Sequence, residues 1–175
     1  YNVAVGYNAG QQVTTGVQNT LIGALAGDAL TDADTNVAIG VSALGGDTLG
    51  SSSVAIGSSA LRLQNFTSAT DVYNVAVGRG AGENVTTGKF NTLIGGLSGD
   101  ALTDGQENVA VGYQALTADT QGENSVAIGN NALFSQNGTN GNVFNVAIGK
   151  NAGFAITTGV ENVLIGGLAG DALTD

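Results

Sequence analysis

The chain has 175 residues, with 14 acidic against 4 basic side chains and a net charge of −10. This charge disfavours nucleic acid and anionic membrane surfaces as partners, because both attract basic side chains. The sequence contains no Cys and no His, which excludes disulfides and the usual ligands of zinc and copper. No apolar run approaches the roughly 18 residues of a membrane helix, so membrane insertion is not expected.

A five-residue stretch at positions 2–6 opens the chain and returns nine more times. Its final residue is called the marker glycine. The marker glycines are Gly6, Gly23, Gly40, Gly57, Gly78, Gly95, Gly112, Gly129, Gly149 and Gly166. Their spacing is 17 residues except for one interval of 21 and one of 20. Fixed self-similarity of this length is the signature of a repeat architecture.

Each copy predicts a short β-strand, because it is rich in β-branched residues and contains Gly, both of which disfavour helix. A second strand is expected after it, at 24–30 in the second copy, where Gly27 also disfavours helix. The pattern therefore predicts an all-β parallel β-solenoid, or β-roll, of about ten 17-residue coils. Such coils stack about 4.8 Å apart.

Side chains alternate along a strand, so Val3 and Val5 lie on one side and Ala4 on the other. We expect the Val/Ile side to fill the interior and the flat Ala side to face outward, suited to close approach of another chain. The Asn at the head of most copies is expected to satisfy buried polar groups by forming a ladder along the stack. The predicted core is thin, and thin cores favour oligomers.

A longer period overlies the short one, since four coils make one unit. The units are 1–72, 73–143 and an incomplete 144–175, which together predict one continuous solenoid over 1–175 and an excerpt of a longer fibre. The fourth coil of each unit is longer than the others. Insertions of this kind map to loops on one face of a solenoid, often the binding face.

Two stretches carry a family resemblance: Ser-Val-Ala-Ile-Gly at 53–57 and Asn-Ser-Val-Ala-Ile-Gly at 124–129. They resemble the head repeat of trimeric autotransporter adhesins of the YadA type. The 17-residue form, with Thr-Thr-Gly in a turn, is similar to repeats of bacteriophage tail fibres. The resemblance implies a parallel β-roll that forms a homotrimer about a common axis, in an extracellular setting on a cell surface or a virion tail fibre.

Catalytic chemistry finds little support in the sequence. One hexad per coil fits the left-handed β-helix of acyltransferases, but no His is present to act as general base. Gly88 and Lys89 have a faint likeness to a phosphate loop, yet Phe90 replaces the hydroxyl that would bind the metal ion. The sequence therefore predicts no enzymatic activity and no organic cofactor.

Calcium is the one ion that the composition leaves open, because carboxylates are its preferred ligands. Residues 32–36 match the first half of an EF-hand loop, but Val37 stands where the Gly is needed. The candidate ligands are Asp28, Asp32, Asp100 and Asp104. We interpret them as solvated turn residues, with a weak calcium site shared between chains as the alternative.

The two long fourth-coil loops share Gln, Asn and Thr in register, and each carries an aromatic residue. The candidate receptor-binding residues are Arg62, Gln64, Asn65, Phe66 and Thr67 in the first loop and Phe134, Gln136, Asn137 and Thr139 in the second. Amide and aromatic groups on a rigid scaffold suit recognition of a host glycan or protein. The alternative is that these residues only turn the chain or hold neighbouring chains together.

These features predict a structural fibre or adhesin segment that spaces and presents attachment sites on a virion or cell surface. One alternative is a glycan- or receptor-binding module that uses the long loops. Another is a self-assembling extracellular filament, because coils without polar caps expose strand edges.

Overall fold

The computed structural model of the chain describes residues 1–139 and 141–175, and it is an all-β parallel solenoid. The described residues include no helix, and so none long and apolar enough to cross a membrane. The strands are β1 Val3–Val5, β2 Thr20–Ile22, β3 Val37–Ile39, β4 Gly50–Ser51, β5 Val54–Ile56, β6 Thr70–Asp71, β7 Val75–Val77, β8 Thr92–Ile94, β9 Val109–Val111, β10 Gly122–Glu123, β11 Val126–Ile128, β12 Gly141–Asn142, β13 Val146–Ile148 and β14 Val163–Ile165.

Ten of these strands form one sheet, in the order β1-β2-β3-β5-β7-β8-β9-β11-β13-β14. Each pairs in parallel with the next copy of the repeat, so that Ala55 lies beside Ala38 on one side and Ala76 on the other. The longer fourth coils do not disturb this register, because β5 still aligns with β7. The predicted stack of ten coils is confirmed.

The prediction of a second full strand in each coil is wrong. Residues 24–29 form consecutive turns, since Leu25 and Gly27 have φ of 58° and 54° and cannot continue an extended strand. These turns nevertheless stack, because the Gly27 amide donates to the carbonyl of Ala43 in the next coil at 2.9 Å. Two-residue strands outside the main sheet pair β4 with β6 and β10 with β12.

The prediction of which strand face lies inside is also wrong. Ala38, Ala55 and Ala76 are fully buried, whereas the Val and Ile on either side of them point outward. The physical reason is the narrowness of the coil. Leucines from the turns, such as Leu30 and Leu44, occupy the interior and are fully buried, so each strand contributes only its central side chain there.

The central side chain of each strand and the turn residue that faces it fill the interior together. Where the central strand residue is Leu21, the facing turn residue is Gly27, and a Cβ on Gly27 would lie 2.7 Å from Leu21 Cδ2. Where the strand residue is Ala38, the turn supplies Leu44 instead. Where both positions carry a small residue, as with Ala76 and Gly82, leucines of the neighbouring coils fill the space, which keeps the close packing that protein interiors require.

Buried asparagines at the head of the strands connect successive coils, as expected. The Asn91 backbone N–H donates to Asn74 Oδ1 at 2.9 Å, and Asn91 Nδ2 donates to the Gly105 carbonyl at 2.9 Å. Asn91 Oδ1 in turn accepts the Asn108 N–H at 3.0 Å. Each asparagine therefore pairs groups that the strands leave free, which buried backbone requires.

The marker glycines allow a close approach between successive coils. Gly112 has a φ of 137°, and a Cβ placed on it would lie 2.4 Å from the Gly129 carbonyl oxygen. Only glycine suits both the backbone conformation and this distance.

We expect Gly112→Ala to lower stability by about 4 kcal/mol, because a strained φ and a steric clash with backbone each cost about 1–3 kcal/mol. Gly141→Ala is the matched control, since Gly141 has a φ of 131° with nothing within 4 Å of its Cβ position. Only the conformational cost remains there. Thermal unfolding followed by circular dichroism measures both variants, and equal losses would contradict the close approach.

Asn91→Ala should cost about 2–4 kcal/mol, because it leaves the Asn108 amide and the Gly105 carbonyl buried without partners. Asn84→Ala is the control, since Asn84 is exposed and bonds only the Asp100 carbonyl, at 2.8 Å. It should change stability by less than about 0.5 kcal/mol. Denaturant unfolding would rule out a structural asparagine ladder if the two variants were equally stable.

Candidate functional site

The long loops lie in the fourth coils of the first two units. Buried Gln64 holds the first of them in place by hydrogen bonds. Gln64 Nε2 donates to Asp47 Oδ2 at 2.5 Å and to Ser53 Oγ at 3.1 Å. Gln64 Oε1 accepts Asn74 Nδ2 at 2.9 Å. In this coil Ser53 replaces the head asparagine, so Gln64 bridges the asparagine ladder across the extra residues.

The second long loop repeats this arrangement. Gln136 Nε2 donates to Asp119 Oδ2 at 2.6 Å and to Ser125 Oγ at 3.0 Å, and its oxygen accepts Asn145 Nδ2 at 2.9 Å. Gln136 is fully buried. Both glutamines are therefore internal hydrogen-bonding residues, and their side chains do not face solvent where a receptor would bind.

Asp119, in the coil before the second loop, is the buried carboxylate that this loop contacts. Its Oδ1 accepts the amides of Gly122 at 2.9 Å and Gly138 at 3.2 Å. Burial raises the pKa of the Asp119 carboxyl above its ordinary value of 3.8, and the hydrogen bond from Gln136 acts against that rise. The position of Asp119 in the coil corresponds to that of Leu30, so a polar network replaces an apolar side chain here.

The remaining receptor-binding candidates divide by exposure. Phe66 is buried, with 7% of its surface exposed. Arg62 is half-buried, and its Nε donates to Glu83 Oε1 at 2.9 Å. Phe134 is half-buried and stacks on Phe154 with ring centroids 4.9 Å apart. The exposed candidates are Asn65, Thr67, Asn137 and Thr139.

Threonine hydroxyls donate to three of the four calcium candidates. Asp32 accepts a hydrogen bond from the Thr15 hydroxyl, Asp104 from the Thr103 hydroxyl at 2.9 Å, and Asp100 from Thr117. Across 1–139 and 141–175, no three acidic side chains come together in a way that could hold a metal ion. Asp28 lines a cleft, described below.

The outward side of the ten-stranded sheet is a surface that the sequence reasoning missed. We call it the aliphatic face: the first and third residues of every strand of this sheet, all of them Val, Ile or Thr. It carries no charge in any of its ten strands. Exposure persists along the stack, with Ile22 at 37%, Ile94 at 39% and Ile128 at 36%. The pairing of a large residue, Leu21, with Gly27 is the sequence pattern from which the aliphatic face could have been predicted.

Charged and aromatic residues flank the aliphatic face. Glu107 and Glu161 are exposed on the row that precedes the strands, and Arg79 and Lys150 are exposed on the row that follows the marker glycines. The preceding row also carries Tyr73 and Phe90, whose rings stack with centroids 6.1 Å apart. The charged residues of the preceding row are acidic and those of the following row are basic, while Lys89 lies over the Phe90 ring, 5.6 Å from its centroid.

Asp119→Asn should change how stability depends on pH. Because the folded pKa is raised, the contribution of this carboxyl is fully present below the ordinary value of 3.8 and is lost as pH rises through the folded pKa. Wild type should therefore lose stability relative to Asp119→Asn as pH rises above 3.8.

Urea unfolding at several pH values measures this difference. Asp104→Asn, at an exposed turn residue, controls for the loss of one negative charge. A wild-type stability that rose with pH relative to Asp119→Asn would contradict the assigned burial of the carboxylate.

Comparison with known proteins adds no relative to this picture. No protein-family model matches the chain, and neither a curated protein nor a solved structure matches it. The functional reasoning that follows therefore depends on the repeat and on the geometry of its surfaces.

Proposed function

We propose that the chain is a structural segment of an extracellular fibre or adhesin, in which three parallel copies pack their aliphatic faces around a common axis. The observation that supports this most strongly is the uncharged, partly exposed aliphatic face that runs along all ten strands of the sheet. Exposed apolar surfaces of this continuity mark sites of association.

The energetics favour association. Two outer residues on each of ten strands would be covered, and completing the burial of a Val or Ile that is about a third exposed contributes about 1 kcal/mol. The gross gain is on the order of 10–20 kcal/mol per chain. Association costs about 4–15 kcal/mol, so the face is large enough to support a stable assembly.

The charged rows favour parallel copies. Parallel packing around an axis places the row with Glu107 and Glu161 of one copy beside the row with Arg79 and Lys150 of the next. Antiparallel packing would place each row beside its own kind, and like charges in proximity oppose association. The resemblance to trimeric adhesins is the basis for proposing three copies.

The proposed mechanism is mechanical. Backbone bonds and the asparagine ladder connect each coil to the next, and ten coils span on the order of 45 Å. A rod of this kind sets the distance between a virion or cell and its target. The net charge of −10 opposes side-by-side aggregation, and no catalytic role is part of the proposal.

The wild-type chain should have a solution mass three times its 17.2 kDa, measured by light scattering. The double variant Ile56→Glu, Val77→Glu places two charges in the middle of the aliphatic face. Because unpaired charges would be buried on association, it should be monomeric while keeping its β-type circular dichroism.

The matched control is Asn65→Glu, Asn137→Glu, which adds the same charge at exposed loop residues. It should keep the wild-type mass. A folded wild-type monomer at micromolar concentration, or equal masses for both double variants, would contradict the proposed packing.

A further inference from the structure

The first four-coil unit carries a cleft on the side of the solenoid opposite the aliphatic face. It lies over the turns of the second, third and fourth coils and has a volume of about 250 Å³. The residues that define it are Leu25, Asp28, Gly45, Gly46, Arg62 and Leu63. None of them lies on the aliphatic face, so the cleft stays open whether or not copies associate.

Two glycines create the cleft. A Cβ on Gly45 would lie 3.1 Å from Asp28 Oδ1 and 3.3 Å from the Ser42 carbonyl oxygen. A Cβ on Gly46 would lie 2.8 Å from the Arg62 carbonyl oxygen. The bare backbone at Gly45 thus leaves the Asp28 carboxylate on the wall of the cleft.

The second unit shows the same place filled. Seventy-two residues further along the chain, Thr117 stands where Gly45 does and Asp100 where Asp28 does. The Thr117 hydroxyl donates to the Asp100 carboxylate. Phe134 replaces Arg62 there. The open cleft is therefore specific to the first unit, and the fold of the coil does not require it.

The open cleft offers groups of three kinds to a ligand. The Asp28 carboxylate accepts hydrogen bonds. Arg62 also lines the cleft. Its Nε bonds Glu83 in the following coil, and the two terminal nitrogens of its guanidinium remain available to donate. Leu25 and Leu63 provide apolar walls. A sugar ring presents the complementary set: hydroxyls that donate and accept, and an apolar face of C–H groups.

The charges narrow the class of sugar. Asp28 and Glu83 together outweigh Arg62, so the surroundings carry a net negative charge, and an acidic sugar would be repelled. We propose that this cleft binds one neutral sugar residue of a surface glycan, with Asp28 accepting from its hydroxyls and Arg62 donating to them. This goes beyond the structural role proposed above and does not depend on the number of copies.

The test is a titration of the ¹⁵N-labelled 175-residue chain with glucose, galactose, mannose and N-acetylglucosamine, followed by amide NMR. At least one sugar should shift the amides of Gly45 and Gly46, with millimolar affinity. Gly45→Thr copies the second unit, so it should fold normally and weaken binding by about tenfold or more, the value of one lost hydrogen bond. Arg62→Gln should weaken binding similarly.

Thr117→Ser is the matched control, because it retains a hydroxyl beside Asp100 outside the cleft, and it should bind like wild type. Absence of shifts with all four sugars would overturn the proposal, as would unchanged affinity in Gly45→Thr. The same amide shifts with calcium chloride alone would assign the cleft to a cation and overturn it too. None of these results alters the solution mass, so this proposal and the proposed trimer fail separately.

Discussion

The whole structure depends on hydrogen bonds between coils that pair buried backbone amides and carbonyls. A single coil is too small to pair these groups by itself. A coil with one three-residue strand leaves amides and carbonyls free at the head of the strand, and these would be costly to bury unpaired. Asn19, Asn36 and their counterparts meet this need with one side chain per coil. The same requirement explains the long loops, where Gln64 and Gln136 continue the ladder through Ser53 and Ser125.

A second constraint, the narrow interior, determines which surface is left for function. Most layers place a small strand residue opposite a large turn residue, or the reverse, as Ala38 with Leu44 and Leu21 with Gly27 show. The branched side chains have no room inside and face outward on every strand. The apolar surface that could join copies is thus a direct consequence of interior volume, and it leaves the opposite side, with its cleft, free for a ligand.

The stacking of the ten strands was predictable from the marker-glycine spacing, and so was the role of the asparagines, because both follow from residue type and period. The choice of inner face was not, since alternation defines two faces without saying which is buried. Two features of the sequence bear on which face is buried. Thr20 stands in the row of Val and Ile residues, and Gly27 lies opposite Leu21. Gln64 appeared to be a loop residue, although it occupies the turn position of Leu30 and is buried for the same reason.

In the proposed assembly, other copies cover the aliphatic face while the opposite side stays free. Because the chain has no Cys, single nitroxide labels can be placed at Ser58→Cys, beside the face, or at Asn84→Cys, on the turn across the core. Pulsed electron–electron double resonance should count three spins per assembly. The distance between labels on different copies should be shorter for Ser58→Cys than for Asn84→Cys. A shorter distance for Asn84→Cys, or no dipolar coupling from either label, would contradict this assembly.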